Sequence, residues 1–141
     1  LLISKNSKEK EKKIHSLIEK LGLSERSKYR PPQLSGGEQQ RVAIGRAIIT
    51  EPELILADEP TGNLDLAAGK QICKLLRRLC DEMNLTIVMV THEPHIAFHA
   101  DRIIMLAEGK IVSDIPKKTF QDSVELSVHY QKILQGNIEK N

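Results

Sequence analysis

The chain has no tryptophan and only two Phe and two Tyr among 141 residues. That shortage disfavours single-stranded nucleic-acid binding, which stacks bases on aromatic rings. A net charge of +2 with 28% charged residues is too balanced to suggest a polyanionic partner, and no nucleic acid is expected. The lysine-rich opening from Lys5 to Lys13 is interleaved with Glu9 and Glu11 and reads as a solvated helix face. No apolar run reaches the ~18 residues of a membrane-crossing helix, so any tie to a membrane has to come through a partner. Cysteine is scarce too. Cys73 and Cys80 fall in one helical stretch, where seven residues of rise hold their Cα atoms ~10 Å apart. A disulfide tolerates at most about 7 Å, and free thiols suit a reducing cytosol.

With 40% hydrophobic residues the chain can bury one modest core. Ile14, Leu17, Ile18 and Leu21 repeat at helical spacing, which predicts a helix from about Lys8 to Leu21 ended by Gly22. Pro31-Pro32 forces a loop over Tyr29 to Gln33. Ser35 can cap a second helix that reaches Ile49 and stops before Pro52. Leu54 to Ala57 is apolar without alternation, as a strand covered on both faces would be. Ile72, Leu75, Leu76 and Leu79 mark a third helix, and Thr86 to Val90 a second strand. Strand, helix, strand predicts a right-handed parallel crossover. Arg102 to Leu106 and Lys110 to Val112 read as a hairpin closing the sheet edge, and Val124 to Leu134 as a last helix. Ile55, Leu56, Val88, Val90, Ile103 and Met105 are expected to form one sheet core that lacks upstream partner strands and so invites aggregation.

Three places carry chemistry. A parallel sheet binds ligands beyond the carboxyl ends of its strands, and both Asp58-Glu59 and His92 stand at such ends, where they are expected to converge. Taken alone, an acidic pair at a strand end is a solvated turn, and a lone histidine there is structural. Ser35-Gly36-Gly37 opens a helix with little side chain in the way, so an anion can approach its positive end; by itself it is better read as a flexible turn. His95 and His99 could share a helix face, but no third metal ligand is evident and a surface reading is preferred.

The order of these elements changes the balance. Leu34-Ser35-Gly36-Gly37-Glu38, Leu54-Ile55-Leu56-Ala57-Asp58, Glu59-Pro60-Thr61, Gly62-Asn63-Leu64-Asp65 and His92 together resemble the nucleotide-binding domain of ABC transporters. The likeness covers roughly Leu1 to Asp114. It implies an α/β fold, a P-loop NTPase-like parallel sheet flanked by helices, here incomplete. It also implies ATP and Mg²⁺ as cofactors, with Asp58 holding the metal, most simply through a water, because Mg²⁺ prefers hard oxygen ligands. Glu59 then orients or deprotonates the attacking water, and His92 stabilises charge on the γ-phosphate. Ser35, Gly36, Gly37, Glu38 and Asp65 meet nucleotide held by a second nucleotide-binding domain. Glu38 stands where many relatives carry Gln.

The family's phosphate-cradling G-x-x-x-x-G-K-[ST] loop is absent. Gly69-Lys70 and Gly109-Lys110 are followed by Gln71 and Ile111 and have no Gly five residues before. The sequence, opening on Leu1-Leu2-Ile3, looks like the back portion of a longer protein, and the chain alone is expected to be inactive. The expected division is a helical signature portion over 1–50, a catalytic portion over 51–114 and a helical tail over 115–141. Ala57 and Asn63 are similar to the lipoprotein-release and macrolide-export branch, whose ATPases drive membrane permeases. That branch implies a homodimer, a transmembrane permease partner and a cytoplasmic position on the inner face of the membrane. A non-transport ATPase of the same family or an inactive interaction module are the rival readings.

Overall fold

In a computed structural model, which describes residues 2–136, most element ends coincide with a residue that caps or breaks the backbone pattern. Helix α1 (Leu2–Lys20) starts earlier than the spacing of its apolar residues suggests, and residues 8–16 are exposed along it. It ends at Gly22, whose φ of 67° only glycine adopts without strain. There the Leu23 N–H reaches back to the Ile18 carbonyl at 3.0 Å and the Gly22 N–H to that of Glu19 at 2.9 Å, closing the terminus. Short 3-10 turns at Ser24–Arg26 and Pro31–Gln33 lead to α2 (Gly36–Ile48). Then follow β1 (Leu54–Asp58), α3 (Leu66–Met83), β2 (Thr86–Val90) and α4 (Pro94–Ala97). The chain closes with β3 (Arg102–Ala107), β4 (Lys110–Pro116) and α5 (Ser123–Leu134).

Two compact units result, Leu1–Val88 and Met89–Asn141. In the first, β1 and β2 pair in a two-stranded parallel sheet joined through α3, so the fold is α/β with helices flanking the sheet. Its core is built on Leu21 and Leu23, on Ile44 and Ile48 of α2 and on Ile72, Leu75, Leu76 and Leu79 of α3. Each such side chain removed from water stabilises the fold by about 1.5–3 kcal/mol before entropy is counted. Arg41 ties the three helices by donating to the Leu21 carbonyl at 3.0 Å and to Gln71 of α3 at 3.2 Å.

The sheet differs from expectation. Ile55 and Ile87 pack against the helical core, but Leu56 is 75% exposed, Val88 51% and Val90 54%. An apolar strand with no alternation reads as covered on both faces; here the described residues cover one. The second correction concerns β3 and β4. They form a sheet of their own instead of extending the first one, and Ile103 and Met105 lie in a separate core with Val112, Phe120, Leu126 and Ile133. Of the six residues expected in one sheet core, Ile55 packs on the first core, Ile103 and Met105 lie in the second, and Leu56, Val88 and Val90 are exposed. The expected hairpin forms, but Ala107 joins β3 opposite Lys110 and β4 runs on to Pro116, leaving a two-residue turn in which Glu108 and Gly109 have φ of 50° and 73°, the left-handed pair that suits the twist of the strands.

Candidate functional site

The phosphate-facing candidate, Ser35-Gly36-Gly37, starts α2 through a reciprocal cap. The Glu38 N–H donates to Ser35 Oγ at 3.3 Å, and the Ser35 N–H donates to Glu38 Oε2 at 2.8 Å. This S-x-x-E arrangement satisfies two otherwise orphaned donors. Ser35 Oγ is an acceptor in that cap, so its own hydrogen remains to be donated outward, and Ser35 is exposed. The remaining N–H groups of a helix's first turn have no partner inside the helix, and neither glycine puts a side chain over them. The Glu38 carboxylate is turned back rather than outward: its other oxygen accepts from Arg26 Nε at 3.0 Å. Its pKa is lowered first by the Ser35 N–H and then by the Arg26 hydrogen bond.

Asp58 ends β1 with an exposed side chain, and Glu59 directly after it has φ of 44°, the left-handed region that favours glycine. The chain then folds back. The Gly62 N–H donates to the Glu59 carbonyl at 3.1 Å, and a Cβ on Gly62 would lie 3.5 Å from that of Glu59 and 3.8 Å from its Oε2. Thr61 is 3% exposed, and its Oγ1 is buried with no hydrogen-bond partner among the described residues. Asp65 caps α3 by accepting the Ala68 N–H at 2.9 Å. A Cβ on Gly36 would stand 3.3 Å from Leu64 Cδ2, and one on Gly37 3.8 Å from Ala68 Cβ. The two short segments 35–37 and 63–65 are thus neighbours on one surface.

His92 lies beyond β2 in the second unit, exposed within a turn in which the Glu93 N–H donates to Thr91 Oγ1 at 3.1 Å. His95, at the start of α4, places Nε2 3.5 Å from Glu93 Oε2. Among the described residues no three His, Cys, Asp or Glu side chains are grouped to hold a metal. Gly69 lies inside α3 and Gly109 in the hairpin turn, so neither Gly-Lys pair forms a phosphate loop. Cys73 and Cys80 remain thiols.

The donor chemistry suits a nucleotide and its metal. Ser35 and the glycines offer hydroxyl and N–H donors at the positive end of a thirteen-residue helix, and Asp58 offers the hard oxygen that Mg²⁺ prefers. Two neighbours of the candidate site escape a reading by motif. Arg26 was announced only by an acid, Glu38, in a position where a neutral amide is common. Thr61 was hidden inside a familiar string, and only its burial distinguishes it.

Residues 2–62 match the ABC transporter family. The chain is 46% identical over 124 residues to the macrolide export ATP-binding/permease protein MacB of Shewanella oneidensis, a match spanning 88% of this chain and 19% of that protein. It is 47% identical over 107 residues to the ABC transporter ATP-binding protein YvrO of Bacillus subtilis, 76% of this chain and 46% of the other. Among solved structures it resembles the dimeric bacterial ABC transporter cassette MJ0796, with a TM-score of 0.64, 42% identity and coverage of 77% of this chain and 47% of that one. A post-hydrolysis dimer of the same cassette, bound to ADP and phosphate, matches with a TM-score of 0.62 and 42% identity over 74% of this chain and 46% of the cassette. The chain spans less than half the length of each of these relatives.

Proposed function

The chain belongs to the ABC transporter family, and from that premise we propose that it supplies the signature, Walker B and switch segments of an ATP-hydrolysing subunit, which couples closure of an ATP sandwich dimer to a membrane permease. The observation that carries this reading is the contact of Gly36 with Leu64 and of Gly37 with Ala68. It supports a surface shared by Ser35, Gly36 and Gly37 from one segment and Asp65 from the other, the residues proposed to meet nucleotide held by the opposite subunit. Asp58, Glu59 and His92 serve the subunit's own nucleotide.

Bound Mg²⁺ supplies a Lewis acid that neutralises charge on the β- and γ-phosphates. Asp58, with its exposed carboxylate, would hold that metal through a coordinated water. Glu59, fixed by the turn that Gly62 closes, orients the attacking water and accepts its proton. Ser35 donates its remaining hydroxyl hydrogen to the phosphate across the dimer interface, and His92 donates to the γ-phosphate. Glu38 contributes by shaping the Ser35 turn, since both its carboxylate oxygens are engaged. The second nucleotide-binding domain is a copy of the same subunit. Among the described residues no helix is long and apolar enough to cross a membrane, and the permease partner holds the subunit at the inner, cytoplasmic face. Similarity to MacB favours the macrolide-export branch.

The reading is tested by turnover. Without a phosphate-cradling loop the chain alone should hydrolyse Mg-ATP no faster than its Glu59→Gln variant. Joined downstream of the Walker A half of a relative such as YvrO, it should hydrolyse ATP, and Glu59→Gln should abolish that activity. Equal activity of the joined protein and its Glu59→Gln form would overturn the assignment.

A further inference from the structure

We propose that Arg26 is a positioning residue for the turn Ser35–Gly37, acting through Glu38 to hold that turn in the form that meets phosphate; the proposal rests on the ATPase reading above. Glu38 has two carboxylate oxygens and both are committed. Oε2 accepts the Ser35 N–H at 2.8 Å, and Oε1 accepts Arg26 Nε at 3.0 Å, across twelve residues of sequence. Arg26 is itself held in place. Its guanidinium donates to the Tyr29 hydroxyl at 3.3 Å and lies 5.0 Å from the centroid of the Tyr29 ring. Its backbone N–H donates to the carbonyl of Leu23 at 2.9 Å, and Leu23 is buried in the first core. A continuous path therefore runs from the core to the signature serine: Leu23, Arg26, Glu38, Ser35.

The chemistry explains why an acid can stand at this point. An unpaired carboxylate one helical turn from a bound phosphate repels it, whereas a neutral amide does not. A guanidinium on the far oxygen compensates the charge and pins the carboxylate facing away. The raised pKa of Arg26 and the lowered pKa of Glu38 agree with that pairing. A pair still open to solvent, with side chains 40% and 26% exposed, adds little to folding stability, so its consequence is the geometry of the turn rather than the survival of the fold.

The test begins on the chain itself. In Arg26→Ala the Ser35 amide should exchange with solvent severalfold faster by NMR, while Ile44 and Gly45 farther along α2 keep their rates and the melting temperature hardly moves. Arg26→Lys, which keeps a charged donor, should restore most of the protection. In the joined cassette, Arg26→Ala should raise severalfold the ATP concentration needed to form the dimer, measured in a Glu59→Gln background by gel filtration. Binding of a fluorescent ATP analogue by single subunits should be unchanged. Unaltered Ser35 exchange, or altered exchange with unaltered dimer formation, overturns the proposal. A cassette with native Arg26 that forms no ATP-dependent dimer overturns the ATPase reading beneath it, which distinguishes the two failures.

Discussion

Gly36 and Leu64 are in contact across 28 residues of chain: a Cβ on the glycine would stand 3.3 Å from Leu64 Cδ2, tighter than side chains normally pack. The signature turn and the segment ahead of α3 are therefore fitted to each other. Gly36→Ala should destabilise the chain, and Leu64→Ala made together with it should relieve the added loss. Residues in contact couple by about 0.5–3 kcal/mol in such cycles. Urea unfolding of the two single variants and the double variant measures it; strict additivity would show that the two segments are not fitted.

Thr61 leads to the opposite expectation. Its hydroxyl oxygen is buried without a hydrogen-bond partner among the described residues, and an unsatisfied buried polar group costs about 1–3 kcal/mol. Thr61→Val nearly keeps the shape and removes the hydroxyl, so thermal unfolding of the chain should be unchanged or shifted upward. A clear drop in the midpoint would mean that the hydroxyl serves the fold.

The cap on α2 gives a pH signature. The folded chain holds the Glu38 carboxyl below its ordinary range, near pH ~4.3 for an unperturbed glutamate. A lowered folded pKa adds stability that is fully present above the unfolded value and fades as pH falls through the folded one. The melting temperature of the native chain should exceed that of Glu38→Gln at neutral pH, and the gap should close below about pH 4. A gap that stays constant down to pH 2 would rule out the carboxylate as its source.

Glu59 and Ser35 should fail in opposite ways in the joined cassette. Glu59→Gln keeps size but removes the proposed general base, a group that typically contributes 10²- to 10⁴-fold, so ATP dimers should close and remain closed. Ser35→Arg drives bulk into the gap where the partner's phosphate sits, so ATP should bind but no dimer form. Gel filtration with Mg-ATP decides between them: a stable dimer of Ser35→Arg, or none of Glu59→Gln, would refute the roles.

The legible parts of this chain were those set by local chemistry. Gly22 ends α1, Ser35 begins α2 and the Glu108-Gly109 pair turns the hairpin, because each choice depends on one residue's own backbone preference or on a cap three residues away. The depth of the strands was not legible. Leu56 and Val88 are as apolar as Ile55 and Ile87, and hydropathy cannot say which face meets a neighbour. The candidate site was read by its strings, which named Ser35, Asp58 and Glu59 but could not show that Glu38 turns back to Arg26. That relationship spans a loop with two prolines, and no periodicity crosses such a loop.

Glu59 has one further consequence, which follows from its φ of 44°. A residue with a Cβ held in left-handed geometry costs about 1–2 kcal/mol relative to glycine, so Glu59→Gly should relieve backbone strain of that order while removing the carboxylate proposed to orient the attacking water. Selection for heat resistance alone would then work against the proposed activity. A library screened only for survival at high temperature should enrich glycine at position 59, and the same library screened for transport should purge it.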